Sequence, residues 1–235
     1  MSSSQELNII ILGAQSSVGK SVTRKLLTFD YKVIGTYRSP LQLDAPAERI
    51  DWQYLNLNNL ESISSFVTFA ENQPVDVILN LIGSLSGLDD SADVRELQLY
   101  FGTYISNQTI LLKELLTKCN PRLFINLSSR AVTYGSNDFY YSEAKSAIHG
   151  LTKSLAKIHA NINFINLIPG LIKDSAMFLS MPEQVRRDHL RRAGGKLLEL
   201  DEVAECLVNL VAKSALSKPT NDGTCLDLVV GPQYA

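Results

Sequence analysis

Cysteine is scarce: Cys119, Cys206 and Cys225 are the only three in 235 residues, and no two form a CxxC pair. This argues against a disulfide framework or a zinc site and suits a reducing compartment. The three histidines, His149, His159 and His189, have no ligand spacing with acidic or cysteine residues, so no metal is expected. No run of ~18 apolar residues exists, which leaves no candidate membrane-spanning helix. Residues 1–6 are polar, and the first apolar run, 7–12, is too short for an export signal; a cytoplasmic location is the expectation. Neither sign of charge dominates: 22 basic and 24 acidic residues leave a net charge of -2. No basic field therefore favours nucleic acid or an anionic membrane.

What is present is ordinary globular composition, 45% hydrophobic and 20% charged, enough to bury a core without staples. No repeat, low-complexity tract or linker divides the chain, so one domain over 1–235 is expected. Short apolar runs alternate with helical periodicity. Strands are predicted at 7–12, 31–37, 50–57, 75–82, 123–127, 162–168 and 225–230. Helices are predicted at 17–29, 60–70, 94–118, 139–160 and 201–214. This alternation predicts an α/β fold: a Rossmann-like, doubly wound parallel sheet of about seven strands with helices on both faces. The long irregular stretch 170–195, with a short helical pattern after Pro182, is where such folds place a substrate lid.

Gly13-Ala14-Gln15-Ser16-Ser17-Val18-Gly19-Lys20-Ser21 joins the first strand to the first helix. A small-residue turn there lets backbone N–H groups and a helix N-terminus meet a phosphate. The ending Gly19-Lys20-Ser21 is that of a nucleotide-hydrolysing P-loop, but five residues rather than four separate Gly13 from Gly19. No apolar strand ends in an aspartate suited to magnesium; Asp76 begins its strand instead. The competing reading is a dinucleotide-binding turn.

Tyr141 and Lys145 are four apart on a predicted helix and so point the same way. A neighbouring ammonium favours the phenolate and lowers a tyrosine pKa toward working pH. Tyr140 would face elsewhere. Ser128, thirteen residues before Tyr141, closes the strand 123–127, where a hydroxyl can reach a ligand in the crevice; Ser129 is the alternative. Each feature alone has a bland explanation, a solvated helix face or a self-capping serine. Their order and spacing together do not.

In these residues the chain resembles the short-chain dehydrogenase/reductase family over nearly its whole length. The resemblance implies Tyr141 as general acid/base, Lys145 on the nicotinamide ribose and Ser128 on the substrate oxygen. It implies a cofactor site of Gly13, Ser16, Ser17, Val18, Gly19, Arg38, Asn56, Leu57, Asn80, Gly83, Tyr141, Lys145, Pro169, Gly170 and Ile172. Asn80 and Gly83 match the family's N-N-A-G, and Pro169-Gly170 its P-G. Three positions depart from the family pattern: Ser17 replaces the middle glycine of the turn, Asn56 an aspartate at the adenine, and Leu99 the asparagine of the proton relay. Water or another side chain would have to take over from that asparagine.

Tyr37 stands where members preferring NAD(H) resemble each other in carrying an acidic residue, and Arg38 could pair with a 2′-phosphate, so NADP(H) is expected over NAD(H). Arg186, Arg187, Arg191 and Arg192, with Lys196 beyond, form either a solvated helix face or a lid that attracts an anionic substrate. Arg130 and Tyr134 are further pocket candidates. The expected activity is NADP(H)-dependent interconversion of a carbonyl and an alcohol on a small organic substrate, in a homodimer or homotetramer. The alternative is a non-catalytic dinucleotide-binding or interaction protein on the same fold.

Overall fold

The computed structural model describes residues 6–39, 49–89, 91–216 and 220–231. The first apolar run becomes strand β1 (Asn8–Leu12) at the middle of a seven-stranded sheet. Its side chains alternate between two cores. Ile9 and Ile11 pack with Val18 and Val22 of α1 (Ser17–Leu26) and Val203 and Leu207 of α9 (Leu200–Leu216). Ile10 and Leu12 pack on the other face with α2 (Leu60–Glu71), α4 (Gln108–Cys119) and α6 (Phe139–Ile158). A strand covered on both faces needs apolar residues at successive positions, which is why the apolar run 9–12 is unbroken. Each such side chain, fully buried, contributes ~1.5–3 kcal/mol.

The remaining strands are β2 (Lys32–Tyr37), β3 (Ile50–Tyr54), β4 (Val77–Asn80), β5 (Leu123–Leu127), β6 (Asn163–Pro169) and β7 (Cys225–Val230). Their order is β3-β2-β1-β4-β5-β6-β7, and all pairs are parallel. The order reverses between β1 and β4, so a crevice opens beyond their C-terminal ends. Gly13 and residues 81–83 lie at that point.

Several boundaries differ from the sequence expectation. Strand β4 starts at Val77 because the Asp76 carboxylate turns back to accept from Asn8 N at 3.0 Å and Nδ2 at 3.1 Å. Strand β3 stops at Tyr54, since Asn56 N donates to Ser62 Oγ at 2.9 Å and turns the chain into α2. The helix expected over 94–118 is α3 (Val94–Phe101), a π-helical turn (Gly102–Asn107) and α4 in series. Asp93 and Glu96 form a capping box at its start. Short α5 (Ala131–Tyr134), α7 (Ala176–Ser180) and α8 (Glu183–Arg192) complete the order, α8 starting immediately after Pro182. Among the described residues no helix is long and apolar enough to cross a membrane.

Candidate active site

The turn after β1 is built around two glycines. Gly13 has φ +82, a conformation that side chains strain, and its N–H donates to Thr36 Oγ1 at 2.8 Å. A Cβ on Gly19 would stand 2.5 Å from the Gly13 carbonyl oxygen and 2.7 Å from that of Ala14. The first turn of α1 therefore presses directly on the loop. Ser16 caps α1, its Oγ accepting from Gly19 N at 3.0 Å. Ser17, at the missing glycine, opens the helix and is not among the described non-glycine residues with positive φ, so a serine fits without strain. Its Oγ accepts from Ala176 N at 2.9 Å, which ties the turn to α7.

A cavity of about 560 Å³ extends from this turn across the ends of β4, β5 and β6. Ser16, Ser17, Val18, Gly83, Ser128, Tyr141, Lys145, Pro169, Gly170 and Ile172 all line it. The sequence-predicted residues Gly13, Gly19, Arg38, Asn56, Leu57 and Asn80 are not in its wall. Gly13 and Gly19 shape the turn from behind. Arg38 is exposed after β2, its backbone N–H donating to Gln15 Oε1 at 3.2 Å. Asn56 uses its Oδ1 on Asn58 N, and the Leu57 carbonyl accepts from Asn107 Nδ2.

Lys145 is buried beneath Gly83. Its Nζ donates to the carbonyls of Leu127 at 2.8 Å and Ile82 at 3.1 Å. Burial alone pushes its pKa down to about 8. Tyr141 lies one turn earlier on α6. The helix start is fixed by Asp138, whose carboxylate accepts from Tyr141 N and from both N and Oγ of Ser86. Ser128 is 3% exposed, and its Oγ lies 2.9 Å from His149 Nδ1.

Leu99 is 62% exposed and does not line the cavity. The neighbouring Tyr100 is turned inward instead, its hydroxyl donating to Ser84 O at 2.9 Å; burial, with Asp138, Tyr104 and Tyr141 adding, raises its pKa strongly. Tyr100, Tyr104, Gln108, Tyr141 and Lys145 line a second cavity of about 10 Å³, room for roughly one water.

Beneath the crevice runs a side-chain ladder that strand-by-strand inspection does not reveal. Asn80, Asn126, Asn166 and Asp227 stand opposite one another on β4, β5, β6 and β7. Gln108 donates to Asn80, Asn80 to Asn126, Asn126 to Asn166 and Asn166 to Asp227, at 2.9–3.2 Å. The readable signal is the dipeptide Asn-Leu near the end of three successive central strands, at positions 80, 126 and 166.

The basic residues near α8 divide. Arg187 pairs with Glu183 and Arg191 with Asp188 on the surface, and Arg186 lies over the Phe178 ring. Arg192 and His189 line the cavity with Leu85, Leu171, Met177, Phe178 and Met181. Tyr134 and Arg130 also line it; Arg130 is buried and its Nη2 donates to Gly231 O. The described residues hold no group of three metal-ligating side chains.

The residues fit a nicotinamide dinucleotide. A Cβ on Gly19 would collide with the turn, one on Gly83 would collide with Lys145 Nζ, and one cavity connects that turn with Ser128, Tyr141 and Lys145. A family model for short chain dehydrogenases matches residues 7–186. A 7alpha-hydroxysteroid dehydrogenase of Bacteroides fragilis is 26% identical over 230 residues, covering 88% of each chain. A 3-oxoacyl-acyl-carrier-protein reductase, FabG, of Buchnera aphidicola is 25% identical over 222 residues, covering 87% of this chain and 89% of that one. An actinorhodin polyketide ketoreductase crystallised with NADPH superposes with a TM-score of 0.78 at 19% identity, over 99% of this chain and 98% of the other. The chain belongs to the short chain dehydrogenase family, oxidoreductases that bind a nicotinamide dinucleotide and act on small molecules.

Proposed function

We propose that the protein is an NADP(H)-dependent carbonyl reductase, or alcohol dehydrogenase, acting through Ser128, Tyr141 and Lys145. The observation that carries the reading is that these three residues line one cavity together with the turn residues Ser16, Ser17 and Val18. When bound, the dinucleotide supplies the hydride for a carbonyl carbon or takes it from an alcohol. Tyr141 gives a proton to the carbonyl oxygen during reduction and takes one during oxidation. Ser128 polarises that oxygen. Lys145 holds the ribose and places its charge next to Tyr141.

Ser16, Ser17 and Val18 would hold the pyrophosphate at the start of α1. Pro169, Gly170 and Ile172 would border the nicotinamide. Gly13, Gly19 and Asn80 would support these residues from behind, and Asn56 and Leu57 would flank the adenine. Arg38 favours NADP(H): it is exposed at the end of β2, where the ribose 2′-phosphate would lie. Residues 170–195 act as the lid of one catalytic domain spanning the chain. The apolar side chains of Leu85, Met177, Phe178 and Met181, with Arg192 and His189 beside them, suit an apolar carbonyl compound with an anionic group. The 7alpha-hydroxysteroid and 3-oxoacyl substrates in the relatives' names agree with an apolar body. Exposed Leu99 on α3 and Ile110 on α4 favour a homodimer or homotetramer, and the few, separate cysteines favour a cytoplasmic location.

The test is consumption of NADPH and NADH with β-keto esters, cyclic ketones and steroid ketones. Turnover with NADPH favoured is expected. Cofactor binding with no turnover of any carbonyl or alcohol would overturn the reading.

A further inference from the structure

Tyr141 and Lys145 are followed, one further turn along α6, by His149, and this side chain reaches Ser128. Ser128 Oγ lies 2.9 Å from His149 Nδ1, and His149 Nε2 lies 3.4 Å from Asp227 Oδ2. Asp227 is itself held: Lys153 Nζ is 2.6 Å from Oδ2, and Asn166 Nδ2 donates to Oδ1 at 3.2 Å. The three groups come from the end of β5, from α6 and from edge strand β7.

We propose that His149 is a positioning residue that decides whether the Ser128 hydroxyl can donate into the cavity, with Asp227 fixing the imidazole tautomer. The inference rests on the reading that Ser128 polarises a substrate oxygen. A carboxylate facing Nε2 keeps the proton of a neutral imidazole on Nε2. Nδ1 then has only a lone pair to offer, so the Ser128 proton points at His149 and the serine presents only lone pairs to a substrate. Protonation of His149 reverses this. Nδ1–H becomes the donor to Ser128 Oγ, and the serine proton is released toward the oxygen on which negative charge develops.

Burial lowers the His149 pKa, with the Lys153 ammonium adding and Asp227 opposing. Burial pushes the Asp227 carboxyl up, but hydrogen bonds from Lys153 and Asn166 and the nearby His149 outweigh it and hold it below the usual range. Cys225, on β7 next to Asn166 of β6, is raised to about 11 by burial, with the Asp227 charge adding, and stays neutral. At neutral pH the pair is thus a neutral imidazole and a carboxylate, and Ser128 is turned away from its donor role.

Two measurements test this. Two-bond proton–nitrogen spectra of the protein labelled in its histidine rings, with His149→Gln giving the assignment, read the tautomer without substrate or cofactor. Neutral His149 protonated on Nε2 is expected, moving to Nδ1 in Asp227→Asn, whose amide can donate to Nε2. A neutral Nδ1–H tautomer in the wild type would overturn the proposal, whatever any assay gives. The second is kcat/KM for NADPH-dependent reduction of ethyl acetoacetate or cyclohexanone across about pH 5 to 9. One donor to a developing oxyanion is worth ~10²–10³ in rate. An acid step of about tenfold or more, below the ordinary histidine range, is therefore expected in the wild type. It should be absent in His149→Gln, and Asp227→Asn should keep its high value at neutral pH. A step that persists in both variants would overturn the proposal. No reduction by the wild type would instead defeat the carbonyl reductase reading, with the tautomer still deciding the geometry around Ser128.

Discussion

A Cβ on Gly83 would stand 2.6 Å from the Nζ of Lys145. The absence of a side chain just beyond β4 is thus what leaves room for the Lys145 ammonium under the backbone. Gly83→Ala should push Lys145 away while leaving the sheet intact, because the clash falls on the far end of a flexible side chain. A misplacement of about 1 Å at such a site costs on the order of 100-fold in rate. The expected result is a comparable loss of kcat/KM with little change in Tm.

If Lys145 holds the dinucleotide as proposed, cofactor binding should depend on pH. Burial brings its pKa from an ordinary 10.5 down to about 8. In the folded, cofactor-free protein the ammonium is present below about 8 and lost above it. Dinucleotide affinity, followed by nicotinamide fluorescence, should weaken as pH rises through about 8, and Lys145→Met should remove this dependence. Stability moves the opposite way. Between about 8 and 10.5 the unfolded chain holds the proton and the folded one does not, so folding from this group alone gains with rising pH.

The ladder beneath the crevice is structural, and its cost on disruption is calculable. Asn126→Leu leaves the Asn80 amide without its acceptor and the Asn166 carbonyl without its donor. Buried groups left unpaired cost ~1–3 kcal/mol each, so about 3 kcal/mol, or roughly 6–12 °C in Tm, is expected from thermal unfolding.

On the proposed reading, cofactor choice turns on Arg38. A charge-assisted hydrogen bond contributes ~1.5–3 kcal/mol, so Arg38→Ala should raise KM for NADPH by about 10- to 100-fold and leave KM for NADH unchanged. Equal effects on both cofactors would remove the reason for preferring NADP(H).

Local pattern made the scaffold legible, and local pattern also marks where legibility stops. The run of residues 7–12 reads as a strand buried on both faces, and four-residue spacing places Tyr141 and Lys145 on one side of α6. The π-helical turn at Gly102–Asn107 was hidden because its apolar spacing still reads as one helix. Tyr100 faces inward where the family pattern points to Leu99, which is exposed. His149 continues the 141–145 spacing by another four residues, but its partners Ser128 and Asp227 are 21 and 78 positions away. Only tertiary packing brings them together.

The most direct measurement is turnover by Tyr141→Phe, which removes one hydroxyl from the cavity wall and nothing else. Loss of carbonyl reduction and alcohol oxidation by at least about 100-fold is expected, with dinucleotide affinity largely retained. Full activity in this variant would contradict the proposed role of Tyr141.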